Sequence, residues 1–276
     1  MRLRLVMDAI ISSLQNDRVK ELVRLRARQG RQQQHRFTID GIREIERAQQ
    51  AQCTFLETYF CDARCSSSDH LLIATLTKQG AAAIEVTSSI MDKIAYGQRT
   101  LALIVVVEIP NRVELESLEV SDSEVVFVLE GIEKPGNLGA IARTADAAGV
   151  AAIILADSEC DVCNPNAIRS SAGAIFHLPI VHDTTQNIQK WLQSNHFNTF
   201  ATMVDGNCCY SEVNLTGRTA IVLGAEAMGL TDLWNSSNSQ AISVPLCGIG
   251  DSLNVSTTAA ILAYESQRQR HPNTQS

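Results

Sequence analysis

Apolar positions fall into short runs and helical stripes that alternate along the whole chain. Between residues 12 and 28, Leu14, Val19, Leu22 and Val23 recur at helical spacing, with basic residues on the remaining face. The pattern then predicts a strand over 37–39, a helix over 41–50, a strand over 53–60 and a helix over 69–80. A strand over 83–86, a helix over 88–95 opened by serines and a strand over 101–107 follow. Residues 109–123 carry a proline and several acids and have no clear period, as a linker does. Beyond it the run 125–129 is continuously apolar and β-branched, which predicts a strand buried on both faces of a parallel sheet. Pro135 to Gly139 reads as a glycine-rich turn, and 140–148 as a helix closed by Gly149. Further strands are predicted over 151–155, 174–180, 197–204, 219–223 and 241–244. Helices are predicted over 167–172, 183–195 and 255–268. Such alternation implies α/β architecture: a small domain over 1–108, a linker over 109–123 and a larger domain over 124–276 with helices on both faces of a parallel sheet.

Composition narrows the class. Of 276 residues, 45% are hydrophobic and 5% aromatic, so the core is mainly aliphatic. No apolar run reaches the length of a membrane span, and the opening residues carry Asp8 where a signal core would lie, so no membrane partner and no export signal are expected. A cytoplasmic location is the expectation that follows. Eight cysteines are present, but Cys160 and Cys163 lack a second pair at zinc-ribbon distance. Cys208 and Cys209 adjoin, and Cys61 and Cys65 have no histidine at ligand spacing. These read as reduced thiols, with neither metal nor disulfide. The net charge of −7 opposes general nucleic-acid binding. One span departs from it: from Arg18 to Arg36 there are seven basic residues and a single acid, Glu21. Arg24, Arg26, Arg28, Arg31 and Arg36 are therefore candidates for a phosphate-binding surface, against the plainer reading of a solvated helix face.

Candidate chemistry gathers where the larger domain's strands end, since ligands of open α/β sheets bind beyond the carboxyl ends of the strands. Asn137 stands in the first turn and Arg143 in the helix after it. The plain readings are a cap or left-handed turn residue for Asn137 and an ion pair with Asp146 for Arg143. The turn lacks the spacing of a dinucleotide-binding loop. A second strand ends at Leu223 and Gly224 ahead of Glu226, and a third leads through Val244 and Leu246 to Ser252, Leu253 and Asn254. His177, set in an apolar stretch, reads as a core histidine rather than a base.

Three segments, NLGAIARTADAAG (137–149), LGAEAMGL (223–230) and DSLNVSTTAAI (251–261), together resemble the motifs of the SpoU/TrmH-type RNA ribose 2′-O-methyltransferases, in order and at matching spacing. The resemblance implies a carboxyl-terminal α/β-knot methyltransferase domain, threaded as a deep trefoil knot that periodicity alone does not reveal. It implies S-adenosyl-L-methionine as cofactor, held at Leu223, Gly224, Val244, Leu246 and Leu253. It assigns the chemistry to Arg143 with Asn137, Glu226, Ser252 and Asn254. It implies a homodimer, and the residues around 18–45 resemble the amino-terminal RNA-binding domain of the ribosomal RNA members. Glu133 and Lys134 depart from the neutral polar residues that relatives often carry before the turn. The leading expectation is ribose methylation of ribosomal RNA. A transfer RNA enzyme is the second reading, against which the amino-terminal domain stands. A non-catalytic RNA-binding protein is the third, against which the intact motif residues stand.

Overall fold

A computed structural model describes residues 10–97, 99–225, 228–235 and 238–271. The opening residues read for an export signal, Glu226 and the end of the polar tail lie outside them. The described chain divides into two compact units: residues up to Asn111 with Cys163–Arg169, and Arg112–Val162 with the chain from Ser170 onward.

In the first unit, α1 (Asp17–Arg24) and α2 (Arg28–Gln34) precede β1 (Arg36–Ile39), α3 (Ile42–Gln50) and β2 (Phe55–Phe60). Then come α4 (Ser67–Lys78), β3 (Ala82–Glu85), α5 (Ser88–Ile94) and β4 (Leu103–Glu108). The four strands form a sheet in the order β1-β4-β2-β3, antiparallel except for the β2–β3 pair. One face of this sheet packs Tyr59, Ile104 and Val106 against Val19 and Leu22 of α1 and Ile90, Met91 and Ile94 of α5. Of the apolar stripe expected there, Val19 and Leu22 are core, while Val23 is half-buried and Leu14, ahead of the helix, is exposed; the cations Lys20 and Arg24 face outward.

The second unit holds β5 (Val125–Glu130), α6 (Pro135–Ala147) and β6 (Ala152–Ala156). After α7 (Pro165–Ser170), most of which clusters with the first unit, come β7 (Ile180–Asp183), α8 (Thr185–Ser194), β8 (Asn198–Thr202) and β9 (Cys208–Cys209). β10 (Thr219–Leu223), β11 (Ser239–Ser243) and α9 (Val255–Arg270) complete it. Seven strands pair in the order β7-β6-β5-β10-β8-β11-β9, every pair parallel. β5, β6 and β10 are buried along their whole length, as continuous apolar runs require. Of residues 109–123, expected as a linker, those from Arg112 belong to this unit: Leu115 is buried in its core with Leu118 and Val120 packed alongside, and Val113 bridges Val181.

Two expected elements differ. Residues 135–139 are not a turn but the first turn of α6. Pro135 occupies the first helical position, where its fixed φ suits the helix and its missing N–H costs nothing. Residues 174–180 are not a strand. Ala172 and Gly173 both have positive φ (50° and 84°), the chain makes a 3-10 turn over Ala174–Phe176, and β7 begins only at Ile180. His177 consequently sits exposed at the end of that turn, outside the core.

Candidate active site

Because its strands are parallel, the second unit presents the segments after β5, β10 and β11 at one edge of the sheet. The register sets Leu129 of β5 directly beside Leu223 of β10. From β5 the chain turns into α6, whose Leu138, Gly139, Ile141, Ala142 and Ala145 are buried. On the other side, Arg143 is exposed. It lies in the third turn of α6, further in than the sequence reading set it, and it makes no ion pair with Asp146. Among the described residues it has no hydrogen-bonding or charged partner at all. A guanidinium held on a rigid helix without an internal partner is available to an external anion.

Asn254 caps α9, with its Oδ1 accepting from the Ser256 N–H at 2.9 Å and from the Ser256 hydroxyl at 2.6 Å. Its Nδ2 donates to Asn137 Oδ1 at 3.4 Å. The start of α6 and the start of α9, over a hundred residues apart in sequence, meet through these two amides. Ser252 is exposed two residues before the cap and does not itself cap the helix. Asn137 and Arg143 do not share a helix face. Six residues separate them, which is about 9 Å along the axis and about 120° around it. The fold therefore joins Asn137 to Asn254 and leaves Arg143 apart from both.

Around the strand ends, Leu223 is buried, Val244 is half-buried, and Leu246 and Leu253 are exposed, as are Met228 and Ile249. Gly224 is dictated by close backbone approach. A Cβ there would sit 2.4 Å from the Gly229 carbonyl carbon, and the Gly229 N–H donates to the Ala225 carbonyl at 2.9 Å. Uncovered aliphatic side chains beside a tight backbone loop fit the adenosine part of S-adenosylmethionine, which needs apolar walls and a few backbone polar groups.

Glu130 is the residue that sequence reading passed over. It ends β5 and is only 4% exposed, yet its carboxylate is fully used. Oε1 accepts from the hydroxyls of Thr185 (3.0 Å) and Thr231 (2.9 Å), and Oε2 accepts from the Thr231 N–H at 2.8 Å. Thr185 is itself held by Asp157, whose Oδ2 accepts the Thr185 N–H at 3.0 Å. A buried polar side chain is tolerable only with such partners. Here it ties the loop that begins at Gly224 to the end of β5 and the start of α8. The available signal was an acid closing a strand that is otherwise wholly apolar.

In the first unit the basic run separates into two groups. Arg31 is 2% exposed and donates to the carbonyls of Leu25 (2.6 Å) and Arg26 (2.9 Å), closing the end of α1. Arg26 donates to the carbonyls of Lys93 and Ala95, both at 2.5 Å. Arg36 pairs with Glu21 at 2.9 Å and Glu57 at 3.5 Å. These three arginines serve the fold. Arg24 and Arg28 are exposed.

All eight cysteines are free thiols. Burial and the nearby Asp69 and Asp62 push the Cys65 thiol up to about 11, so it is protonated at neutral pH. Among the described residues no three His, Cys, Asp or Glu side chains converge on a possible metal position, and no helix is long and apolar enough to cross a membrane.

Residues 124–264 match the SpoU rRNA Methylase family, and residues 16–104 match the MRM3-like substrate binding domain. The chain belongs to the SpoU rRNA methylase family. Its second unit has that family's α/β-knot fold, a deep trefoil knot and so an exception to the rule against threaded chains. Over 254 residues it is 26% identical to the 23S rRNA (guanosine(2553)-2′-O)-methyltransferase RlmP of Bacillus subtilis, covering 92% of this chain and 97% of that one. A crystal structure of an RNA 2′-O ribose methyltransferase superposes with a TM-score of 0.83 at 36% identity, covering 94% of this chain and 98% of the other. The SpoU methyltransferase AviRb of Streptomyces viridochromogenes, in complex with AdoMet, superposes with a TM-score of 0.84 at 25% identity, covering 93% and 98%.

Proposed function

We propose that this chain transfers the methyl group of S-adenosylmethionine to a ribose 2′-hydroxyl of ribosomal RNA. The observation that carries the reading is an unpartnered, exposed Arg143 on the helix that follows β5, in a chain whose other motif residues Asn137 and Asn254 are joined by a hydrogen bond. Both units have counterparts in relatives named for ribosomal RNA, which disfavours a transfer RNA enzyme and a binding-only protein.

When bound, S-adenosylmethionine supplies an electrophilic methyl group. Leu223, Gly224, Val244, Leu246 and Leu253 would hold its adenosine part through backbone groups and aliphatic walls. Asn137 and Asn254 orient the ribose. The Arg143 guanidinium grips the adjoining phosphate and stabilises negative charge as it develops on the 2′-oxygen. Ser252, exposed two residues before α9, supports the substrate there, and the family resemblance gives Glu226 the same supporting role. The amino-terminal domain, residues 1–108, binds the RNA, with the exposed Arg24 and Arg28 meeting phosphates; the domain from 124 onward carries the chemistry.

The working form is a homodimer in the cytoplasm. Two features support it. Arg143 lies apart from its own chain's Asn137 and Asn254, and α9 leaves Ala260 and Ile261 half-exposed and Tyr264 55% exposed. A helix with apolar side chains left on its outer face calls for a partner. The test is in vitro: purified chain, deproteinised ribosomal RNA from cells lacking the protein, and S-adenosylmethionine with a labelled methyl. Label recovered as a 2′-O-methylnucleoside after nuclease digestion is expected. Label on a base, or none, overturns the proposal.

A further inference from the structure

The basic run contains a built groove that none of the motif residues uses. Lys20, Val23 and Arg24 fall at i, i+3 and i+4 of α1, so they share one face of the helix. Val19 lies beneath them, buried, and the exposed Leu14 stands just before the helix. Across from them is Lys93 of α5. These six residues line a groove of about 310 Å3 within the first unit.

The arginines that serve the fold are what hold it open. Arg26 draws the end of α1 onto the Lys93 and Ala95 carbonyls at the end of α5. Arg31 satisfies the carbonyls of Leu25 and Arg26 just beyond α1. Gly30 allows α2 to fold back so closely that a Cβ there would meet the Arg24 carbonyl oxygen at 2.0 Å. The mouth of the groove is left with three exposed cations and an apolar floor. Among the described residues, no carboxylate lines it. Of the nearby acids, Glu21 pairs with Arg36 and Asp92 with Arg64, whereas Asp17 pairs with the groove's own Lys20 at 3.1 Å, an exposed contact that a phosphate can replace.

We propose that this groove seats one unpaired nucleotide of the substrate RNA, its phosphates met by Lys20, Arg24 and Lys93 and its base by Leu14 and Val23. The volume sits at the small end of the range for small-molecule sites, room for one nucleotide and not for a duplex. Sequence-tolerant recognition of splayed single strands combines a cationic rim with a surface on which a base can lie, and Arg24 adds a guanidinium plane. An acidic polypeptide would need the cations but would gain little from an aliphatic floor of this size. The inference rests on the proposed action on RNA and adds where the RNA is gripped.

The test uses the full chain, a 4-thiouridine-containing single-stranded oligoribonucleotide, and polyglutamate as competitor. Photocrosslinks are expected in peptides spanning residues 14–24 or 88–94. The triple variant Lys20→Ala, Arg24→Ala, Lys93→Ala should bind at least about tenfold more weakly near physiological salt. Its slope of log affinity against log salt should fall by about two, as for three lost contacts to a single strand. Leu14→Ser should weaken binding several-fold with the slope unchanged, which a purely electrostatic face would not show. All four side chains are exposed, and unfolding curves confirm that the variants fold. Wild-type binding and salt slope in the triple variant, or equal displacement by polyglutamate at matched charge, would overturn the groove assignment while wild-type methylation of RNA persists. If the wild-type chain neither binds nor methylates RNA, it is the proposed function that fails, and the groove assignment with it.

Discussion

Arg143 is exposed and without an internal partner, so replacing it should cost the fold little and the reaction much. Arg143→Ala is expected to lower turnover by about 10²–10³, the usual cost of losing a preorganised charge at a developing oxyanion. Affinity for S-adenosylmethionine, measured by calorimetry, should stay within about twofold. A proportionate loss of cofactor binding would mean that Arg143 shapes the pocket instead. Glu130 is the opposite case, buried and fully bonded. Glu130→Ala strands the Thr231 N–H and two threonine hydroxyls, which should destabilise the chain by at least about 2 kcal/mol in urea. Since Glu130 anchors the loop that starts at Gly224, cofactor affinity should fall as well. Unchanged cofactor affinity in the folded variant would make the carboxylate a stability feature only. These two residues also mark what sequence could reveal at this scale. Arg143 stood out as a charge in a small, apolar helix. Glu130 did not, because its importance comes from Thr185 and Thr231, distant in sequence and adjacent only after folding.

At the scale of elements, the buried strands β5, β6 and β10 were legible because their apolar runs have one physical reading. Where the start of α6 was misread as a turn, the error came from two readings of proline: a breaker inside a helix, but a favourable opener at its first position. Of the basic run, the charge was visible but its division was not. Arg26 and Arg31 serve the fold because carbonyls at the ends of α1 and α5 need donors, and no spacing rule reports that. The closing helix α9 offers a test that turns on sign. The hydrogen bond from Arg268, with one from Gln269, holds the Glu265 carboxyl below its ordinary value. A depressed carboxyl contributes stability above its unfolded value and loses it as pH falls through that range. Urea midpoints should therefore fall between about pH 5 and pH 3 more steeply for the wild type than for Glu265→Gln. Parallel curves would show that the contact at the end of α9 carries no stability.

For the molecule as a whole, the knot is the feature least accessible to periodicity. Threading changes neither the apolar pattern nor the element order, and it entered the sequence reading only through the resemblance of three motifs. The proposed dimer can be tested by complementation. If Arg143 of one chain serves the cofactor held by the other, Arg143→Ala and Gly224→Val chains should be nearly inactive alone. Valine at 224 cannot fit against Gly229, so that pocket is lost. In a random mixture half the dimers are mixed, and each of these keeps one intact site of two. About a quarter of wild-type activity should return, by the symmetry of isologous pairing. No recovery would place Arg143 in its own chain's site.

The central claim, ribose methylation of ribosomal RNA, is tested most directly by mapping 2′-O-methyl groups across total RNA from cells with and without this protein. The expected result is loss of methylation at a defined ribosomal RNA nucleotide. It should be restored by the wild-type chain and not by Arg143→Ala. Unchanged ribosomal RNA, with the lost methyl group found on a transfer RNA or on no RNA, would contradict the account.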